Sequence, residues 1–268
     1  MRSHASAVRF DGRWLAAIAT GAILNLAQNV PPWWPAMWFA LIPLLAAVLS
    51  TPTLRETIKL ATAASLLGRL TALLPIVTAP TIEDSLVIAV TAPLFVIPFS
   101  VPLVAITVLW RFVVGDARAW YSALSFAIIA ASVDLLFGMI SSHGRWSSWA
   151  NSQMHVLPVV QSAALGGTPL VVFVITLPAA AIALAIVRGR AIQRPVLAYG
   201  LPLSLTVAAM VYGYARLDNH PTMARVPVGL VAADHADIFP SELAALRIKR
   251  WRHPSNAQPR SRPRELCW

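Results

Sequence analysis

Seven mostly apolar stretches punctuate the chain, at 14–28, 33–49, 58–77, 86–114, 120–140, 157–187 and 196–215, with short polar, proline or glycine breaks between them. A membrane-crossing helix needs roughly 20 mostly apolar residues. The pattern therefore predicts an all-α polytopic membrane bundle of about seven transmembrane helices. The first two stretches are short and share the turn Val30-Pro31-Pro32. The fourth contains Pro93, Pro98 and Pro102, which predicts a kink or a re-entrant part. Prolines are tolerated in such a span because neighbouring helices and water can satisfy the freed carbonyls. The sixth is long enough to cross with tilt, and Gly166-Gly167 near its start reads as a point of close helix packing.

Arg2, Arg9 and Arg13 precede the first stretch, as in a signal peptide. The stretch runs on into Gln-Asn-Val-Pro-Pro-Trp-Trp, with no small-residue cleavage site, so it reads as a retained helix. Orientation comes from the basic residues of the short loops. One side holds Arg2, Arg9, Arg13, Arg55, Lys59, Arg111, Arg118, Arg188, Arg190 and Arg194; on the other, loops 28–32 and 78–85 have none and 141–155 has Arg145 alone. The basic side is predicted to be cytoplasmic. An odd number of spans then puts everything after Arg216 on the periplasmic side of a bacterial inner membrane. Trp33, Trp34, Trp110, Trp120, Trp146 and Trp149, at span ends, suit an interfacial aromatic belt.

Composition agrees. Of 268 residues 57% are hydrophobic and 12% charged, with a mean hydropathy of +0.67. That is about half the charge of a soluble domain, roughly 25%, too little to coat a water-facing surface. The formal net charge of +10 would suggest nucleic acid in a soluble protein. Here the cations sit between apolar runs and in a tail predicted to be extracytoplasmic, so no nucleic-acid partner is expected. The single cysteine, Cys267, excludes an intramolecular disulfide and a cysteine-based metal site.

The pattern divides the chain into a transmembrane domain at 1–216, the start of a further domain at 217–240, and a basic tail at 241–268. Residues 225–233, Arg-Val-Pro-Val-Gly-Leu-Val-Ala-Ala, read as a short β-type run that needs partner strands. The tail carries Arg247, Lys249, Arg250, Arg252, Arg260, Arg262 and Arg264 among prolines, without apolar periodicity. It reads either as a disordered segment touching anionic headgroups or as a frameshifted translation of a GC-rich gene.

Three segments together resemble the apolipoprotein N-acyltransferase family. Residues 31–45, Pro-Pro-Trp-Trp-Pro-Ala-Met-Trp-Phe-Ala-Leu-Ile-Pro-Leu-Leu, are similar to that family's second helix. Residues 144–153, Gly-Arg-Trp-Ser-Ser-Trp-Ala-Asn-Ser-Gln, followed from Gln161 by Gln-Ser-Ala-Ala-Leu-Gly-Gly, resemble its Trp…Ser-Gln loop and the next helix start. Residues 226–234 are similar to the first strand of its nitrilase-like domain. The resemblance implies acyl transfer from a phospholipid to the N-terminal cysteine of a diacylated lipoprotein, on the periplasmic face. It also implies a Glu-Lys-Cys triad in the nitrilase-like domain, working through an acyl-thioester. This chain departs from that pattern. Cys267 lies too close to the first strand to be the nucleophile, Glu265 lacks its leading apolar strand, and Lys249 has no motif around it. No catalytic residue carries over. The nitrilase-like domain reads as truncated, and no acylation is expected from the chain as written.

Candidate site residues remain. Arg69 and Asp134 fall inside the third and fifth stretches, where each charge costs ~2.5–3.5 kcal/mol on insertion scales. Counted from the starts of their stretches they differ in depth by roughly 5 Å at 1.5 Å per residue, so an intramembrane ion pair is expected. The alternative is that each meets water or a carbonyl separately. In the 141–155 loop, Trp146 and Trp149 could cradle lipid tails with Arg145 near a phosphate, while Ser152, Gln153 and Gln161 order the loop against the following domain. The bland reading is an interfacial loop anchored by its tryptophans. His143 and His155 have no metal spacing, and Ser147 and Ser148 have no carboxylate for a triad. No phosphate-loop or dinucleotide motif occurs, so no cofactor or metal is expected. The expected partners are a phospholipid and a diacylated lipoprotein. A small transporter or non-enzymatic lipid-binding scaffold is the other function class, supported by the charge pair and the proline-rich fourth stretch. It is opposed by the lack of an internal repeat.

Overall fold

The computed structural model describes residues 11–28, 32–70, 85–114, 119–141 and 144–218. All of them fall in one unit, Met1–Pro221. Among the described residues the structure is helical with no strand. The predicted β run at 225–233, the basic tail, Cys267, His143 and the end of the third stretch lie outside them.

Helix α1 is Gly12–Gln28, whose buried Ala17, Thr20, Gly21, Leu24 and Ala27 recur every three or four residues on one face. That face packs against α4, Leu54–Leu67, which opens on Thr53 with its side chain accepting from Glu56 N at 3.3 Å. Small side chains let the backbones approach. A Cβ on Gly21 would stand 2.5 Å from Leu67 Cβ, and the Asn25 amide donates to the Leu67 carbonyl. Arg13 pairs with Glu56 at 3.1 Å near the start of both helices.

The second stretch does not form a single helix. It divides into α2, Trp34–Ala40, and α3, Ile42–Leu49, about Leu41. Pro43 has no N–H for the ladder, and Leu44 N donates instead to Thr20 Oγ1 on α1 at 3.0 Å. The far end of α3 is capped by two guanidiniums. Arg111 donates to Val48 O, Thr51 O and Thr51 Oγ1, and Arg188 to Leu49 O. Cations there complement both the orphan carbonyls and the helix dipole.

Helix α5, Ser85–Val114, runs continuously through Pro93, Pro98 and Pro102; of the kink or re-entrant part expected for this stretch, the helix shows no re-entrant break. Ser65 Oγ from α4 donates to Ser100 O at 2.9 Å, a cross-helix bond beside two of the prolines. Helix α6, Ser122–Ile140, makes its most extensive contact with α8, Ala163–Arg188. Buried Ala123, Ala127 and Ala130 on one and Ala179, Ala180 and Ala183 on the other supply the flat surfaces. Trp110 of α5 closes the base of α6, donating to Ser122 O at 2.8 Å and meeting Phe126 edge-on at 5.3 Å.

The sixth stretch is also interrupted. A single turn, α7 (Leu157–Val160), precedes α8, and α8 itself is bent at Gly166 (φ −147°, ψ 20°) and Gly167 (φ 68°, ψ −168°). The two glycines are exposed, so their role is conformational and not the close packing the sequence suggested. Gly167 takes a positive φ that a side chain would disfavour. The last stretch is a π turn, Val196–Gly200, leading into α9, Leu201–Asp218. Gly213 of α9 lies directly on the Pro158 carbonyl of α7, with no room for a Cβ. Gly213→Ala should therefore lower stability by about 1–3 kcal/mol, the usual cost of overpacking, measured as a drop in thermal midpoint in detergent.

Among the described residues four helical segments are long and apolar enough to cross a membrane: Val96–Val114, Ser122–Ile140, Ala163–Arg188 and Val196–Asp218; Trp34–Leu49 is a shorter apolar stretch. Their outward faces carry exposed Ile97, Leu136, Ile140, Ile186, Val207 and Val211, as a lipid-facing surface requires.

Candidate functional site

Beyond α6 the chain turns at Gly144 (φ 59°), then forms a short 3-10 helix, Trp149–Gln153. Ser148 caps it, its Oγ accepting from Ala150 N at 3.3 Å. Asn151 ties the turn back on itself, its amide donating to Arg145 O at 3.0 Å and Trp146 O at 2.7 Å. With its backbone thus held, Arg145 folds over the end of α6. Its stem lies across Gly138, where a Cβ would come within 2.7 Å of Arg145 Cγ. The guanidinium Nη1 donates to Asp134 Oδ2 at 3.1 Å and to Thr168 Oγ1, just past the glycine bend, at 2.7 Å. One arginine thereby joins the loop, α6 and α8.

Arg145 and Asp134 line a cleft of about 410 Å³, its open mouth included. Pro102, Leu103 and Ile106 of α5, Ala130, Phe137 and Gly138 of α6, and Ser147, Ser148 and Trp149 of the loop form its walls. Arg69 lines it too, and donates from Nη1 to Gln28 Oε1 at 2.8 Å.

The expected pair of Arg69 with Asp134 is corrected here. Both residues reach the same cleft, but the ion-pair partner of Asp134 is Arg145. Helix α4 ends at Leu67, so Arg69 sits on the turn beyond it and finds the end of α1. Asp134 and Gly138 are one helical turn apart on α6, and the glycine admits Arg145 to the carboxylate.

The loop residues separate into three groups. Trp149 is buried and lines the cleft, whereas Trp146 is exposed and touches the edge of Phe99 at 5.9 Å, so the two do not form one cradle. Ser152 and Gln153 are buried and turned inward: Ser152 Oγ donates to Trp149 O, and Gln153 holds α2. Gln153 Oε1 accepts from Trp38 Nε1 at 3.0 Å, and its Nε2 donates to Trp34 O at 3.1 Å and Ser152 Oγ at 3.0 Å. These two bind the loop to its own bundle. Gln161 ends α7, half-buried and away from the cleft. Thr168 and Gly138 were missed by sequence reasoning, although a glycine one turn beyond an intramembrane aspartate is a legible sign of something large packing there. Among the described residues no group of three or more His, Cys, Asp or Glu could hold a metal ion.

A family model, the apolipoprotein N-acyltransferase N-terminal domain, matches residues 20–181. The chain belongs to this family. The match takes in about half of α1, all of α2–α7 and most of α8, and with them Arg69, Asp134, Arg145, Gln153 and Thr168. A comparison with curated proteins finds no match. Membership of the N-acyltransferase family makes this helical unit the membrane part of an acyltransferase-like protein.

Proposed function

We propose that this chain is the membrane portion of an N-acyltransferase-like protein of the bacterial inner membrane. It has seven spans, a cytoplasmic N-terminus and a periplasmic side carrying the 141–155 loop. The family match carries the reading. The ten basic residues gathered on the opposite side support the orientation. Its partners are a phospholipid, the acyl donor of the family reaction, and a diacylated lipoprotein, the acceptor. The cleft at the end of α6 is the place for the donor headgroup. Apolar α5 and α6 walls lie beside two guanidiniums there, a combination suited to acyl chains below a phosphate.

In this reading the contribution of the helical unit is binding and presentation. The transporter reading loses one of its two supports, while the proline-rich fourth stretch remains. The Arg69–Asp134 pair is not formed.

The test uses the full chain in proteoliposomes with a photoactivatable phospholipid and a diacylated lipopeptide. Mass spectrometry should find crosslinks in residues 144–153 and no triacylated product. Label confined to the outer helix faces would sink the headgroup assignment, and a triacylated product would overturn the non-catalytic reading.

A further inference from the structure

Among the described residues the charges of the cleft do not cancel. Arg69 and Arg145 face Asp134 alone, and no other charged residue lines it among those described. Among the described residues neither guanidinium is saturated. Arg145 uses Nη1 for both Asp134 and Thr168, and no acceptor meets its Nε or Nη2 among the described residues. Arg69 likewise gives only Nη1, to a neutral amide. A guanidinium carries five N–H donors in a rigid fork shaped for an oxyanion. Holding three charges partly withdrawn from solvent is costly, and a neutral pair would be enough to fasten the loop to α6. The uncompensated cation therefore needs another explanation.

We propose that the cleft is a phosphate site with a resident competitor: Asp134 neutralises Arg145 when the site is empty, and a phosphate group, free or in a phosphodiester, displaces that carboxylate from it. This rests on the headgroup reading above only for the source of the phosphate. The chemistry is shared by a lipid headgroup and by free phosphate. Asp134 then sets the affinity from inside the protein, because every anion must compete with it for Arg145. Thr168 is bonded to the same nitrogen, so displacement also loosens the tie to the glycine bend of α8.

The experiment titrates the purified full chain, in a phosphate-free maltoside detergent, with inorganic phosphate and separately with short-chain phosphatidylglycerol, following affinity by calorimetry. Asp134→Asn, nearly isosteric, should tighten binding roughly tenfold, within the usual range of site-to-site coupling. Arg69→Gln should weaken it by a similar factor while leaving the Asp134–Arg145 pair in place. Binding of both probes would identify a general phosphate site, and binding of the lipid alone a headgroup site. Unchanged or weaker binding in Asp134→Asn overturns the proposal. So does wild-type affinity in Arg69→Gln, a result that stands even if the Asp134 variant does not fold. If neither probe binds while the photoactivatable lipid still labels the loop, the competitor idea fails and the lipid reading survives. If phosphate binds and the lipid does not label, the reverse holds.

Discussion

Asp134→Arg should cost the protein about 3 kcal/mol of stability, and adding Arg145→Asp should recover most of it. The single change removes the one carboxylate of the cleft and leaves three guanidiniums in it. The ion pair is mostly withdrawn from solvent, with side-chain exposures of 12% for Asp134 and 31% for Arg145. Removing one partner from a buried pair typically costs ~3–5 kcal/mol; the lower end applies because Arg145 retains access to water. The double reversal restores opposite charges across the same 3.1 Å contact, though Thr168 must then find a new donor. Thermal unfolding of the purified chain in detergent measures all three proteins. The comparison that decides the pairing is Asp134→Arg with Arg69→Asp. That combination should remain as unstable as the single mutant, and recovery by Arg69→Asp in place of Arg145→Asp would mean that the carboxylate pairs with the wrong arginine here.

Replacing Gln153 with leucine should have a comparable effect, about 3 kcal/mol, by a different route. Gln153 is fully buried and bonds to Trp38, Trp34 and Ser152 at once. Leucine fills nearly the same volume but leaves the Trp38 indole N–H without its acceptor and takes a second donor from the Trp34 carbonyl, which keeps its bond within α2; a buried group left without a partner costs ~1–3 kcal/mol. The same bonds fasten α2 to the loop, so the damage should appear locally as a loss of tryptophan near-UV circular dichroism. Trp38→Phe removes the stranded donor. In a double-mutant cycle Trp38→Phe and Gln153→Leu should couple by ~0.5–3 kcal/mol. Strict additivity would show that the Trp38–Gln153 bond contributes nothing of its own.

These effects bear on how the site is assembled. Gln153 seats the 3-10 helix on α2, Asn151 fixes the preceding turn, and Gly138 leaves the gap through which Arg145 reaches Asp134. Each residue sets the next, so a change at Gln153 should also disturb the cleft.

The helical class was legible along the chain, because apolar run length is a local property that a bilayer reads directly. Run length also placed α6 and α8 within a few residues of their observed bounds, apart from the turn ahead of α8. The 144–153 loop stood out in the same reading, as did Arg69 and Asp134 as charges needing an explanation. The lettering of residues 31–45 and 144–167 was enough to suggest the family. Breaks inside apolar runs were less legible. The division at Leu41 depends on Pro43 finding Thr20 of another helix to take up the neighbouring N–H, and the bend at Gly166–Gly167 lies in a run that reads as continuous.

Partner choice emerged only from the packed bundle. Depth along a helix axis made Arg69 and Asp134 a reasonable pair, but depth carries no information on azimuth or on how a loop folds back. Arg145 reaches Asp134 because Gly138 clears its path, and Gln153 meets Trp38, 115 positions away in the chain, because the 3-10 helix packs against α2. Hydrogen bonds and ion pairs act over about 3 Å. Which groups come that close is a property of the assembled helices, and no spacing along the chain encodes it.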